Sequence, residues 1–376
     1  MELTFETVPV VAVDDGIGCV NAVISHENVM REITFYALTM HRKFQIMPGQ
    51  KRPFTIMNFA FPSRMDDGYA VIEPADIMTV GDAVLYRTDS DAAPSTGNAR
   101  YFDEGAKVRI LSALARVLDP ENFEGTEAKR RVRAYHIHNL GLGANVRAVR
   151  TFYDKLCGFM NGRHVCWING TTYHFEIAST TVRSQPSAAE LYLRSRSNFA
   201  FDTLSYVIYD IGTGTLDVLP FVRGVLDEDR ATAINVAIEY LRQRLREILE
   251  PKFPDLEFQL RDLENLLLSH SPEILYNNAY HDVSVEVEKA RTVTWKEVQR
   301  QLAPLLRNQQ YDRAFFVGGG ANVWAPTLKR LYAKAENSFE IVPHAHMCVA
   351  WGLFEAAKPS VLEMRIESGT KKRQRV

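Results

Sequence analysis

The chain has 376 residues, 46% hydrophobic and 24% charged, with a formal net charge of -2. That length is too great for one average domain and suits two, with the composition of an ordinary globular protein and ample core. The charge balance excludes a broad basic field, so direct nucleic-acid binding is not expected, and no apolar run reaches the roughly 20 residues that cross a bilayer, so no membrane role is expected either.

From Met1 to Pro9 there is no basic side chain, so no secretory leader is expected. Cys19, Cys157, Cys166 and Cys348 carry no CxxC pair or zinc spacing and are read as reduced thiols of a cytoplasmic protein. The first punctuated feature is a hairpin, Val10–Val13 out and Cys19–Ile24 back around Asp14-Asp15-Gly16-Ile17-Gly18. Short extended segments broken by glycine and proline from Phe44 to Leu85 predict a small β-rich insertion, and Thr88 to Gly97 an exposed loop. Val108, Leu111, Ala115 and Leu118 predict one face of a helix ending before Pro120, Tyr135–Leu140 a buried strand, and Val149 to Phe159 another helix. Two strands then meet at Asn169-Gly170, and a short helix spans about Ser187–Arg196 before a charged hinge.

A second hairpin, Tyr206–Ile211 and Leu216–Val222, turns at Gly212-Thr213-Gly214-Thr215. The spacing of Ile234, Ala237, Ile238, Leu241, Leu245 and Ile248 predicts a long amphipathic helix with Asp227 and Asp229 near its start. Thr294 and Glu297 make a capping-box pattern for a helix bearing Trp295, Val298 and Leu302. A strand Ala314–Val317, three glycines, a helix from about Pro326 and a last helix from about Met347 to Ala357 complete the pattern. Two acidic, glycine-bearing hairpin turns, about two hundred residues apart, suggest a structural duplication.

The turns carry the chemistry. A triphosphate needs backbone N–H groups brought close, which glycine permits, and a divalent cation held through its waters by one or two carboxylates. Both turns supply these features, each with its leading aspartate, Asp14 or Asp210, at the end of an apolar strand, where a charge is tolerable only at a cleft or against a cation. Phe315-Phe316-Val317-Gly318-Gly319-Gly320-Ala321-Asn322 runs from strand through glycine turn to helix, a surface on which a base or sugar can lie. No GxxxxGK[ST] loop competes. The HxH pairs His136/His138 and His344/His346 are read as structural, and Trp295 and Trp324 as core or domain-surface residues.

In order and spacing, these three segments resemble the first phosphate, second phosphate and adenosine motifs of the actin, DnaK-type chaperone and sugar-kinase superfamily. The closest likeness is to ParM-type bacterial actins of the plasmid-segregation branch. It extends to Phe61-Pro62-Ser63, the Gly81 turn before Val84, the helix near Lys107–Leu118 and Gly352. The resemblance implies an α/β, actin-like two-domain fold, each domain a mixed sheet flanked by helices in a duplicated RNase H-like arrangement, with nucleotide in the interdomain cleft. The expected division is residues 1–195, with an insertion over about 40–105 and completion by a helix over about 341–362, then residues 196–340 and a basic flexible tail 363–376. It further implies Mg2+ held by Asp14 and Asp210, mainly through water. Phosphate loops would be lined by Asp15, Gly16, Gly18, Gly212, Thr213, Gly214 and Thr215, and the nucleoside would lie against Gly318, Gly319, Gly320 and Ala321. Gln185 falls at the strand end where ParM-like proteins place a glutamate and actin a glutamine, so it is expected to position the attacking water, with Asp14 and Asp210 completing the catalytic set.

The expected function is an ATP- or GTP-hydrolysing protein that self-assembles into filaments and segregates plasmid or phage DNA through a DNA-binding adaptor. The alternatives are a small-molecule kinase and a non-polymerising nucleotide-dependent clamp of the same fold. The kinase would need an aspartate base that no motif here supplies, and the clamp a large extension after the last helix. The tail Lys371-Lys372-Arg373 with Arg375 is read as solvated, with contact to DNA or a partner as its alternative.

Overall fold

The computed structural model of the protein describes residues 3–16, 18–26, 29–37, 39–40, 57–81, 98–124, 131–306, 310–333 and 338–358. Ile17, residues 41–56 and 82–97 of the expected insertion and loop, and the basic tail lie outside the described residues.

In the first half, strands β1 (Glu6–Asp15), β2 (Cys19–His26), β3 (Val29–Tyr36), β4 (Thr39–Met40), β5 (Met57–Ala60), β6 (Arg64–Asp66), β7 (Tyr69–Val71), β8 (Met78–Val80), β9 (Arg131–Ala144), β10 (Gly162–Ile168) and β11 (Thr171–Ser184) accompany helices α1 (Glu104–Leu118), α2 (Glu121–Glu124), α3 (Val146–Phe159) and α4 (Gln185–Arg196). Strands β6 and β7 make a separate ribbon; the rest form one sheet in the order β3-β2-β1-β9-β11-β10-β5-β8-β4. Burial is continuous from Val10 to Asp15 because both faces of β1 are covered. Val11 and Val13 enter the core with α1 residues such as Leu111 and Leu114. Val10 and Ala12 face the opposite way, into the cluster that holds α4. Asp103 caps α1 by accepting from the Ala106 N–H at 2.7 Å, and Asn145 caps α3 from Ala148 at 2.7 Å.

The second half adds β12 (Tyr206–Ile211), β13 (Leu216–Val222), β14 (Val225–Leu226), β15 (Thr232–Ile234), β16 (Glu273–Tyr276), β17 (Ala279–Asp282), β18 (Arg313–Val317) and β19 (Phe339–Ile341), with α5 (Ile238–Leu249), α6 (Leu260–Leu268), α7 (Ser284–Leu306), α8 (Gly319–Leu331) and α9 (Cys348–Ala357). Its main sheet runs β14-β13-β12-β18-β19, with β15 also on β13. In each sheet the hairpin's first strand has a parallel neighbour on its other side, β9 beside β1 and β18 beside β12. The two similar turns in the sequence therefore sit in equivalent places in two similar sheets.

A core cluster shared by both sheets contains Val10 and Ala12 of β1, Tyr206 and Ile208 of β12, Ala188 of α4 and Leu353 of α9. There α4 and α9 approach so closely that a Cβ on Gly352 would lie 1.7 Å from the Ala188 carbonyl oxygen. Gly352→Ala must push the helices apart and is expected to cost about 1–3 kcal/mol. Thermal melting reads this, and an unchanged Tm would contradict the contact.

Three expected helix limits change. Residues 232–234 pair with β13, Ile234 opposite Leu216, so the amphipathic helix starts at Ile238 rather than after Asp229. Thr294 is buried in the middle of α7 and caps nothing, because burial of Val287, Ala290, Trp295 and Val298 continues one helical face through it. Helix α8 starts at Gly319, carrying Pro326 inside it, because Gly318 with φ 81° ends the strand and begins the helix at once. Trp295 and Trp324 are core residues, with ring centroids 5.4 Å apart.

Candidate nucleotide-binding cleft

Both hairpin turns and the glycine turn before α8 open onto one cleft of about 280 Å³. Asp14, Gly16 and Gly18 line it from the first hairpin; Asp210, Gly212, Thr213, Gly214 and Thr215 line it from the second; Gly318, Gly319 and Gly320 close a third wall. The first two loops nearly touch, since a Cβ on Gly18 would lie 1.9 Å from Thr213 Oγ1. The carbonyls of Gly212 and Thr213 accept from the N–H groups of Ile238 and Glu239 at 3.4 and 2.8 Å, which anchors the second loop on the start of α5.

At the end of β1 alternation separates the two aspartates. Asp14 faces the cleft and accepts from Gln185 Nε2 at 2.7 Å and Asn21 Nδ2 at 3.5 Å. Burial pushes its pKa up to about 6, against the opposing effect of those two hydrogen bonds. Asp15 turns inward, where Arg109 grips both carboxylate oxygens at 2.7 and 2.9 Å. Asp15 therefore holds the loop from behind, and its expected place among the phosphate-lining residues is corrected. Ala321 is likewise buried in the core, its N–H donating to the Gly318 carbonyl at 3.2 Å, so it packs beneath the glycine wall of the cleft rather than on it.

Gln185 is the first residue of α4, directly after β11. Strand β9 lies between β11 and β1, so the glutamine must reach past it to Asp14. Gly143 of β9 clears that path: a Cβ there would lie 3.1 Å from Asp14 Oδ1 and 3.4 Å from Gln185 Cγ.

Asp210, the last residue but one of β12, stands opposite Asp217 in register. It is buried, and among the described residues no donor meets its carboxylate; burial, then the charges of Asp217 and Asp14, hold its pKa well above the ordinary range. Gly318 must be glycine here, because a Cβ would lie 2.4 Å from Asp210 Oδ1. Asp217 accepts from the Val146 N–H at 3.0 Å, joining the second hairpin to α3. Burial pushes its pKa up to about 6 from 3.8, with that hydrogen bond and one from Thr215 opposing.

Because the folded state holds the Asp217 proton more tightly than the unfolded chain, this group's contribution to stability is full below the unfolded value of 3.8 and is lost as pH rises through about 6. Asp217→Asn keeps an acceptor for Val146 and needs no proton. The ligand-free variant is expected to melt above wild type at about pH 8 and close to it at about pH 4, as thermal scans across pH would show.

Asp210, a buried carboxylate without a donor among the described residues, is short of positive charge, and Asp14 faces the same cleft, so the two suit a divalent cation between the walls. Among the described residues no group of three His, Cys, Asp or Glu side chains could cage a metal. Two carboxylates on facing walls, Asp14 and Asp210, fit a cation such as Mg2+, which keeps several of its waters and takes one or two carboxylates.

Several cleft residues were missed in the sequence. Asn21 stands opposite Asp14 in the hairpin register and also donates to the His346 carbonyl at 2.9 Å; counting back from the turn would have found it. Arg242 sits on the buried face of α5, where a charge signals a partner, and donates to Glu239 at 3.0 Å and to Glu264. Arg100, Tyr101 and Thr34 also line the cleft and had no local signal, while Asn322 closes the glycine motif and His346, read as structural, lies on the cleft wall. His136 lies on β9, 3.8 Å from Glu176, away from the cleft.

The family model of the Alp7A C-terminal domain matches residues 205–349. Among solved structures, Alp7A superposes with a TM-score of 0.69 at 12% identity, covering 98% of this chain and 100% of that one. The fold is actin-like. A non-polymerisable quadruple mutant of pCBH ParM matches this actin-like protein with a TM-score of 0.71 at 14% identity, over 93% of this chain and 98% of that one. Bacillus thuringiensis ParM with AMPPNP gives 0.65 at 13% identity, over 96% and 100%. Curated protein sequences show no match. The α/β, actin-like fold expected from the resemblance is thus borne out. No helix among the described residues of this actin-like protein is long and apolar enough to cross a membrane.

Proposed function

We propose that this actin-like protein is a nucleoside triphosphatase of the cytoplasm, dependent on Mg2+ and taking ATP or GTP in the cleft. The observation that carries the reading is the 2.7 Å hydrogen bond from Gln185 Nε2 to Asp14 Oδ1, beside two glycine turns that meet at one point. Asp14 fixes the glutamine, and the glutamine orients a water for attack on the terminal phosphate. Glutamine is a poor base but a good orienter, which suits phosphoryl transfer, where positioning and electrostatics dominate. Mg2+, when bound, neutralises phosphate charge, and Asp14 and Asp210 are the carboxylates that hold it. Gly318–Gly320 and the Arg242–Glu264 pair form the end of the cleft for sugar and base.

The chain further assembles into filaments that move plasmid or phage DNA through a DNA-binding adaptor. Support comes from the likeness to ParM and Alp7A, one matched ParM being described as a non-polymerisable quadruple mutant. Differential subunit contacts in triphosphate and diphosphate states would make hydrolysis a timer of disassembly. The test is sedimentation with phosphate release, with and without Mg2+ and each nucleotide. Pelleting should appear only with triphosphate and Mg2+, above a threshold protein concentration. Pelleting that rises linearly from zero protein, or ignores nucleotide, overturns the filament part and leaves the hydrolase part standing.

A further inference from the structure

We propose that Arg100 contacts the terminal phosphate of the bound nucleotide and makes the cleft prefer a triphosphate over a diphosphate. This rests on the triphosphatase reading above. Arg100 belongs to neither hairpin nor to the glycine turn before α8; it lies in the short 3-10 turn Asn98–Tyr101 ahead of α1. It lines the cleft, yet is only 3% exposed. A guanidinium cannot shed its proton, so burial demands anionic or acceptor partners for its five N–H groups.

Those partners are incomplete. The nearest carboxylate, Asp15, is gripped by Arg109 through both oxygens at 2.7 and 2.9 Å, and Arg100 stands 3.7 Å from it. Arg100 instead donates to the Asp15 main-chain carbonyl, and its buried Nε has no partner among the described residues. The other arginine on the cleft wall, Arg242, is committed to Glu239 and Glu264. Arg100 thus has donor capacity in reserve at the edge of a cleft whose remaining charged wall is Asp14, Asp210 and Asp217. Its position also selects which phosphate it meets. It donates to the main-chain carbonyl of Asp15, the residue next to Asp14, the aspartate that holds Gln185. That is the end of the cleft where water attacks, so the phosphate present in the triphosphate and absent from the diphosphate is the one within reach. A planar fork suits phosphate oxygens, and a charge-assisted pair in a dry site is strong enough to discriminate.

The experiment titrates full-length wild type, Arg100→Met and Arg100→Lys with fluorescent ADP and AMPPNP, and their guanine counterparts, in Mg2+. Arg100→Met is expected to weaken the triphosphate analogue by about 10- to 100-fold and the diphosphate by less than about 3-fold. Arg100→Lys keeps the charge and loses the fork, so its ratio falls between, and it decides the matter if the methionine variant does not fold. Equal loss for both nucleotides reduces Arg100 to a brace for the Asp15 carbonyl and overturns the proposal, as does no loss for either. If wild type binds no nucleotide, the triphosphatase reading falls and this inference with it. If wild type binds both and the ratio is unchanged in the variants, this inference alone falls.

Discussion

Asp210→Ala is expected to lower phosphate release by roughly 100- to 1,000-fold at saturating Mg2+, while the protein stays folded. The expected loss is that of one positioned electrostatic partner in a water-poor phosphate site, about 3–4 kcal/mol of transition-state stabilisation. The structure separates this from a folding defect. Asp210 is buried, takes no hydrogen bond from a described residue and is repelled by Asp217 and Asp14. Its removal takes away an unfavourable charge, so the ligand-free variant should melt no lower than wild type. Phosphate release and thermal melting on one preparation make the check. Unchanged turnover would remove Asp210 from the cation site, and a large fall in Tm would show that its carboxylate supports the fold.

Gln185→Ala is expected to cut turnover by roughly 10- to 1,000-fold with nucleotide affinity close to wild type. The glycine turns and both carboxylates remain, and what is lost is the group that Asp14 holds at 2.7 Å. If the filament reading holds, assemblies of this variant should persist longer, because the triphosphate state is drained more slowly. Gln185→Glu tests the contact itself. It replaces the donor with a second carboxylate facing Asp14, whose pKa burial already pushes up to about 6. A like charge at that distance disfavours ionisation further, so the acid limb of the pH–rate profile should move to higher pH. Phosphate release across pH, with fluorescence titration of nucleotide, checks both variants. Normal release in Gln185→Ala would reduce the residue to a helix-start polar group, and lost binding would make it part of the pocket wall.

Where the determining forces were local, the residues announced the outcome. The glycine-bearing turns after Val13 and Ile211, the Asn169-Gly170 turn with both residues at positive φ, and the strand into Gly318 are backbone requirements written within a few positions. So is the repetition of the first hairpin in the second half, from which two similar sheets and a shared cleft follow. Elements set by competition for pairing or burial were not legible. Ile234 satisfies a helical period, yet goes to β15 because β13 offers it a ladder partner, and Thr294 reads as a cap until the buried face of α7 carries the helix through it. Strand alternation alone could have turned Asp15 away from Asp14, but its partner Arg109 lies 94 positions along the chain. Gly143 shows the same limit. In sequence it is one glycine of a strand, and only the order β1-β9-β11 makes it the gap through which Gln185 reaches Asp14. The turns that line the cleft were determined by the sequence itself, because glycine and aspartate act on their own backbone. Which side chains face the cleft, and which brace it from behind, was decided by tertiary structure, because strand order and helix packing bring distant residues to the same few ångströms.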